Sequence, residues 1–563
     1  MAKNRIVVIG GVACGPKAAA RARRRDPHAD ITIIERGELL SYAGCGLPYY
    51  IEGKIETADE LMSAGAGVIR DAAFFKNVKA IDVMNRTLAE RIDRKKKVVE
   101  VISVETGVKS EVAYDKLVLA TGADSVMPPF AGIDLKGVFR LNHPTDAEDI
   151  KKWVTCGCNS AVIIGAGLIG MEVAEALTSN GISVTMIEMM DTLVPVFLDP
   201  ELSAHLEKHI KGKGVNVMTG TKVLALEGDD TGQVSRVITD KGEVDTQMVL
   251  VAIGVRPNIT LAKDAGLEIG ETGAIKVNEH LQTNDPNIYA GGDCAQVWNR
   301  ITGKPAYVPL GSTANKHGRI IGDNITGGNS TFDGVLGTVI FKAFDFNVGR
   351  VGLSEKDCIK MGLPYVTALT PGPDRAHYYP TSRPMILKLI ADPKSGKVLG
   401  MQAVGTGDVA KRVDVTATLL SFGGTYRDVS ELDLAYAPPF SSAVDILQHA
   451  ANVIDNKIND LAHSITPMQV KNMIDGGRDF IWLDVRGPKE VETLSLKNPR
   501  VVNIPLGKLR ARSGELPKDA EIVTFCKVSI RGYEAQRILD GEGFKNVKFM
   551  DGGVSAWPYS LEV

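Results

Sequence analysis

Short uninterrupted apolar runs alternate with stretches of helical spacing along most of this chain. Ile6-Val7-Val8-Ile9 is the first run. Gly10-Gly11-Val12-Ala13-Cys14-Gly15 follows, then a segment carrying Ala18, Ala19, Ala20 and Ala22. A second run, Ile31-Thr32-Ile33-Ile34, ends in Glu35. Strands apolar on both faces need cover on both, so this order of run, glycine turn, helix and run predicts a βαβ unit in a parallel sheet. The same order returns over 161–164 and 184–187, with Gly165, Gly167 and Gly170 between the runs and Glu188 after them. Further buried strands are predicted before Ala120-Thr121-Gly122, over 249–253 and over 287–290, the last running into Gly291-Gly292-Asp293. From about residue 331 the pattern changes to alternating strands, such as 385–390 and 398–401. Residues 452–463 are polar and charged and read as a linker. Beyond them, runs over 480–485, 501–504 and 522–525 with a helix over 532–539 predict a separate α/β unit spanning 464–563.

Composition narrows the picture. A chain of 563 residues exceeds what one core can hold, so roughly three or four domains are expected. A formal net charge of -3 points to neither nucleic acid nor a membrane surface as partner. The opening apolar run is too short for a secretory core, and no run approaches the roughly 20 residues that span a bilayer. Seven scattered cysteines, an odd number, do not form a disulfide framework, so a reducing cytoplasm is the expected setting. Cys156 and Cys158 flank a glycine without partner histidines or a second pair, so no metal site is expected.

The two glycine turns carry the clearest chemistry. A tight turn, a helix N-terminus for phosphates and an acid for ribose hydroxyls make a dinucleotide site. Gly165, Gly167 and Gly170 fill all three glycine roles, with Glu188 as the acid. Gly10, Gly15 and Glu35 fill the first site, where Val12 replaces the middle glycine. Met189 and Met190 follow Glu188 with no arginine for a 2′-phosphate, which favours NADH over NADPH. Asp293 suits a hydrogen bond to a cofactor's sugar or pyrophosphate side.

Three further features stand out. Cys45 lies between Gly44 and Gly46 just before a predicted helix start, where close cofactor approach and a thiolate are both favoured. Lys17, Arg21 and Arg24 share one helical face, either a solvated surface or a phosphate-binding one. Cys526 ends a strand, and its loop closes on Arg531 at a helix start, a nest of N–H groups able to hold a thiolate or persulfide. Asp484, Arg486, Trp557, Cys294 and Cys358 read as structural.

On the Gly10–Gly15 turn, 41–48 around the single cysteine, Gly165–Gly170, Ala290-Gly291-Gly292-Asp293 and Tyr436-Ala437-Pro438-Pro439-Phe440, residues 1 to about 450 resemble coenzyme A disulfide reductases. The whole chain resembles their rhodanese-fused relatives, including NADH-dependent persulfide reductases. The resemblance implies two nested Rossmann-like domains, FAD at the first and NADH at the second. An α+β dimerisation domain and a C-terminal α/β rhodanese domain of Cys-x4-Arg type would follow. The implied division is FAD domain 1–150 and 285–330, NAD domain 151–284, dimerisation domain 331–451 and rhodanese domain 464–563. It makes Cys45 the redox thiol and Lys17, Arg21, Arg24 and Ser41 coenzyme A contacts. Tyr378 and Tyr436 become proton donors reaching the partner subunit's cysteine in a homodimer. Two positions depart from the pattern: Cys14 replaces a usual glycine, and Gly44 stands where asparagine is common.

The expected reaction is reduction of a coenzyme A persulfide, polysulfide or coenzyme A disulfide at Cys45, with Cys526 carrying sulfur. Three alternatives stand beside it: an NADH oxidase or peroxidase, a rhodanese with a regulatory flavin half, and a redox-sensing flavoprotein. The first typically places a histidine in the first turn, where this chain has Val12-Ala13-Cys14.

Overall fold

The computed structural model describes residues 4–561. Internal packing divides the chain into two units. One holds the residues up to Met189 with Thr221–Val335, the other Met190–Gly220 with everything from Leu336 onward.

In the first unit, five parallel strands stand in the order Ile288–Ala290, Lys116–Leu119, Arg5–Ile9, Asp30–Ile34 and Asp82–Met84. The register sets Val8 beside Ile33 and Val118, and all three are fully buried, as strands covered on both faces require. The helix Cys14–Arg25 packs against Gly311–Asn324. Glycine permits that approach: a Cβ at Gly322 would stand 2.6 Å from the Arg21 Cβ. A second parallel sheet runs Ser183–Ile187, Ser160–Ile164, Val249–Val251, Val138–Phe139. The antiparallel ribbon of Ala123–Ser125 with Val255–Pro257 joins the two nucleotide folds, directly after Ala120-Thr121-Gly122.

In the second unit, five antiparallel strands run Val339–Ala343, Phe346–Gly352, Val398–Gly405, Pro384–Ala391, Val366–Pro373. A parallel sheet follows in the order Ser464–Ile465, Val547–Met550, Ile522–Phe525, Ile481–Asp484, Val501–Asn503. The expected linker over 452–463 is corrected here. Its first part belongs to the helix Ile446–Ile458, and only 459–463 is left as connection. Ile446, Leu447, Ala450, Ala451 and Ile454 form one buried stripe that carries the helix through the polar segment.

Candidate active site

Both glycine turns are built from the same hydrogen bonds. Gly10 N–H donates to Ile34 O at 2.9 Å, and Gly165 N–H to Ile187 O at 2.8 Å. Gly11 N–H donates to the Glu35 carboxylate at 2.7 Å, and Ala166 N–H to Glu188 at 2.9 Å. Gly10 (φ 110°) and Gly165 (φ 102°) adopt a backbone shape that L side chains rarely take. Gly15 and Gly170 let each helix start against its turn, since a Cβ there would stand 1.9 and 2.2 Å from Gly10 O and Gly165 O. Gly167 has no such neighbour nearer than 3.9 Å, which leaves the second turn open to a ligand. The helices Cys14–Arg25 and Leu168–Ser179 both begin without a side-chain cap or an acid in the first turn. Their N–H groups are therefore available to a pyrophosphate.

The first cradle carries an additional mark of a cofactor. Asp293 is half-buried, and desolvation pushes its carboxyl up to about 6, with no donor among the described residues shown to offset it. A sugar-chain hydroxyl is the donor that such a carboxylate lacks, so these residues fit FAD. Thr121 donates its hydroxyl to Asn258 O at 2.6 Å, and Asn258 N–H donates to Gly122 O at 2.9 Å, fixing the crossover beside the cradle. Cys14 is buried and fills the gap against Gly291, where a Cβ would meet its sulfur at 2.9 Å.

Cys45 sits on this same frame. Ser41, buried and at φ 51°, donates its N–H to Gly11 O at 2.8 Å and accepts from Arg70 at 2.9 Å. Cys45 lies in the turn Gly44–Gly46 and is exposed, with open space beside Gly44. The next helix, Leu47–Glu52, packs on Leu168–Ser179 and so brings Cys45 into the field of Glu172. Partial desolvation, Glu172 and Asp293 raise the Cys45 thiol, and the backbone hydrogen bond at the turn lowers it by less. A single turn preceding a six-residue helix offers too little dipole against desolvation and two carboxylates. Glu172 is itself pushed up to about 7 by burial and Glu175. Lys54 pairs with Glu52 and Glu175 rather than with Glu172.

The basic face divides. Lys17 and Arg24 are exposed, whereas Arg21 donates to Asp323 at 2.6 Å and ties two helices together. Arg21 therefore serves packing, leaving Lys17 and Arg24 as the open cations of the expected set.

In the second unit, Tyr378 and Tyr436 are electrostatic neighbours, and Tyr436 raises the Tyr378 hydroxyl above its ordinary value. Arg375 holds the two segments together, donating to Asp374, Thr381 and, at 3.0 Å, Pro439 O. Arg412, buried, is hydrogen-bonded to Asp374 O and Asp445.

The Cys526 loop is enclosed by the turn that follows Val547–Met550. Val554 N–H donates to Cys526 O at 2.9 Å, Ser555 N–H to Lys527 O at 2.9 Å, and Gly552 N–H to the Ser529 hydroxyl at 2.6 Å. Ser529 takes φ 106°, a strained value for a serine, at the turn into the helix Ile530–Gly541. That helix begins without a side-chain cap or acid. Cys526 is wholly buried at the loop's centre, and Arg531 lies within hydrogen-bonding reach of it. Glu490 grips Arg531 with two bonds of 2.7 Å, which raises the guanidinium and lowers Glu490 to about 2. Asp484 and Arg486 form a buried pair at 2.7 Å, and Trp557 packs in the core.

Three site residues escaped the sequence reading. Glu172 lies two residues past Gly170, inside the fingerprint. Glu490 was legible only as a helix-capping acid, accepting Gly487 N–H at 3.1 Å. Asp323 left no local signal. Among the described residues no group of three or more His, Cys, Asp or Glu is placed to hold a metal ion, and no helix is long and apolar enough to cross a membrane.

Comparison with known proteins agrees with this geometry. Residues 4–315 match the pyridine nucleotide-disulphide oxidoreductase family, 338–447 its dimerisation domain and 466–558 the rhodanese-like domain. A NAD-dependent persulfide reductase structure from A. fulgidus superposes with a TM-score of 0.94 at 45% identity, covering 98% of this chain and 100% of that one. The NAD(P)H coenzyme A polysulfide/persulfide reductase of Pyrococcus horikoshii is 39% identical, over 80% of this chain and 98% of its own. An NADH oxidase of Methanocaldococcus jannaschii is 34% identical, over 81% and 100%.

Proposed function

The chain belongs to the pyridine nucleotide-disulphide oxidoreductases, and we propose that it uses NADH to reduce coenzyme A persulfide, polysulfide or coenzyme A disulfide at Cys45. The placement of Cys45 carries this reading. It is an exposed thiol with no second cysteine in its segment, in the field of Glu172 on the helix of one nucleotide cradle and of Asp293 at the close of the other. FAD, when bound at the first cradle, supplies the two-electron link between NADH and the thiol. Gly165, Gly167, Gly170 and Glu188 position NADH; Gly10, Gly15, Glu35 and Asp293 hold the flavin nucleotide.

The Cys45 thiolate attacks the coenzyme A sulfur of a persulfide. The S–S bond breaks, sulfide leaves with the electron pair, and Cys45 becomes a mixed disulfide with coenzyme A. Two electrons then release coenzyme A thiol and restore Cys45. Tyr378 and Tyr436 supply a proton to the leaving thiolate from the partner subunit of a homodimer, and Lys17 and Arg24 meet coenzyme A phosphates. Cys526, with Arg531, carries sulfane sulfur to or from the same pool. Seven free cysteines fit a reducing cytoplasm.

Rapid mixing tests the reading. NADH-reduced protein should be reoxidised by coenzyme A persulfide or polysulfide much faster than by oxygen or peroxide. Reoxidation by oxygen alone would assign it instead to the NADH oxidases among its relatives.

A further inference from the structure

The cations around the Cys526 loop are mostly committed to carboxylates of the same chain. Three cations stand on or near it. Arg486 is buried and spent on Asp484, with contacts of 2.9, 3.1 and 2.7 Å. Arg531, the loop's closing residue, has two guanidinium nitrogens committed to the two Glu490 oxygens, at 2.7 Å each. Only Lys527 is exposed and without an ion pair among the described residues. Glu490 is itself fixed in advance, because it caps the helix Pro488–Thr493 through Gly487 N–H. An arginine fork is the ordinary means of gripping an oxyanion, and here a carboxylate of the same chain occupies it.

We propose that Glu490 sets the donor preference of Cys526: by pairing with Arg531 beside the thiol it offsets part of the positive charge a dianion such as thiosulfate needs, and so favours a persulfide donor with one charge at its reacting end. The assignment rests on Cys526 being the sulfur carrier. In either transfer the Cys526 thiolate attacks the sulfane sulfur and a new Cys526 S–S bond forms. The donor's S–S bond breaks, and the electron pair leaves on sulfite from thiosulfate or on the thiolate of coenzyme A from its persulfide. Atoms and charge balance without an added oxidant. The donors differ in the charge the loop must accept, and that is the quantity Glu490 controls.

The test uses full-length, flavin-loaded protein and measures sulfur transfer to cyanide from thiosulfate and from coenzyme A persulfide. Glu490→Gln should raise the thiosulfate-to-persulfide ratio of kcat/KM by about tenfold, through KM, with a gain that shrinks as salt is added. An unchanged ratio, or equal loss with both donors, would overturn the proposal and leave Glu490 as a purely structural brace. Should that variant not yield flavin-loaded protein, Lys527→Gln asks the converse. Thiosulfate transfer should fall several-fold more than persulfide transfer, and an equal fall overturns the proposal. Cys526→Ser separates the two levels: if it transfers sulfur as well as the parent, the carrier reading fails and the Glu490 assignment with it.

Discussion

Tyr378 and Tyr436 stand close enough to feel each other's hydroxyl while both stay open to solvent, 66% and 52% exposed. Tyr436 raises the Tyr378 hydroxyl still further above neutrality, and like any phenol it is protonated there and able to donate.

Replacing Tyr378 by Phe should therefore lower steady-state kcat on coenzyme A persulfide by about 10²-fold, the size of a lost proton donor. Bleaching of the flavin by NADH in the same protein should keep its rate. A matching loss of both steps in stopped-flow traces would place the tyrosines in folding rather than in proton transfer.

Cys45→Ser should abolish turnover on persulfide and coenzyme A disulfide while NADH still reduces the flavin. Mass spectrometry of the oxidised parent should find one coenzyme A attached per chain, on Cys45, and none on the variant.

Desolvation, with Glu172 and Asp293 after it, holds the Cys45 thiol above its ordinary value, so the reactive thiolate is gained only as pH rises. Glu172→Gln removes one of those charges. The pH midpoint for iodoacetamide alkylation of Cys45 should move to lower pH, and an upward move would reverse the sign argued here. Because Glu172 titrates near 7, the shift should be largest above neutral pH, where the native carboxylate is ionised.

Lys457 donates to Asp551 at 2.6 Å and to Thr367 O at 2.7 Å, both within the second unit, and Asp551 is buried. Lys457→Ala leaves that carboxylate buried without its cation, held only by the Ser464 hydroxyl at 3.0 Å, and urea unfolding should show a loss of about 3–5 kcal/mol. Since Gly552, next to Asp551, anchors Ser529, sulfur transfer by Cys526 should weaken in the same variant.

What the chain itself determined is local. Glycines at 10, 15, 165, 167 and 170, the acids that follow each second strand and the Cys526-to-Arg531 spacing are short-range patterns. Backbone geometry demands them wherever they occur, so the nucleotide turns and the sulfur loop were legible before any folding was considered. Even the linker misreading was local: polar residues at 452–458 concealed a buried stripe that only packing on a sheet reveals. Tertiary structure alone decided the charges. It gave Arg21 to Asp323, Arg531 to Glu490 and Tyr378 to Tyr436, and it set Glu172 and Asp293 beside Cys45. Those partners lie far apart in sequence. A side chain's protonation and availability depend on burial and on neighbours through space, neither of which a residue's place in the chain encodes by itself.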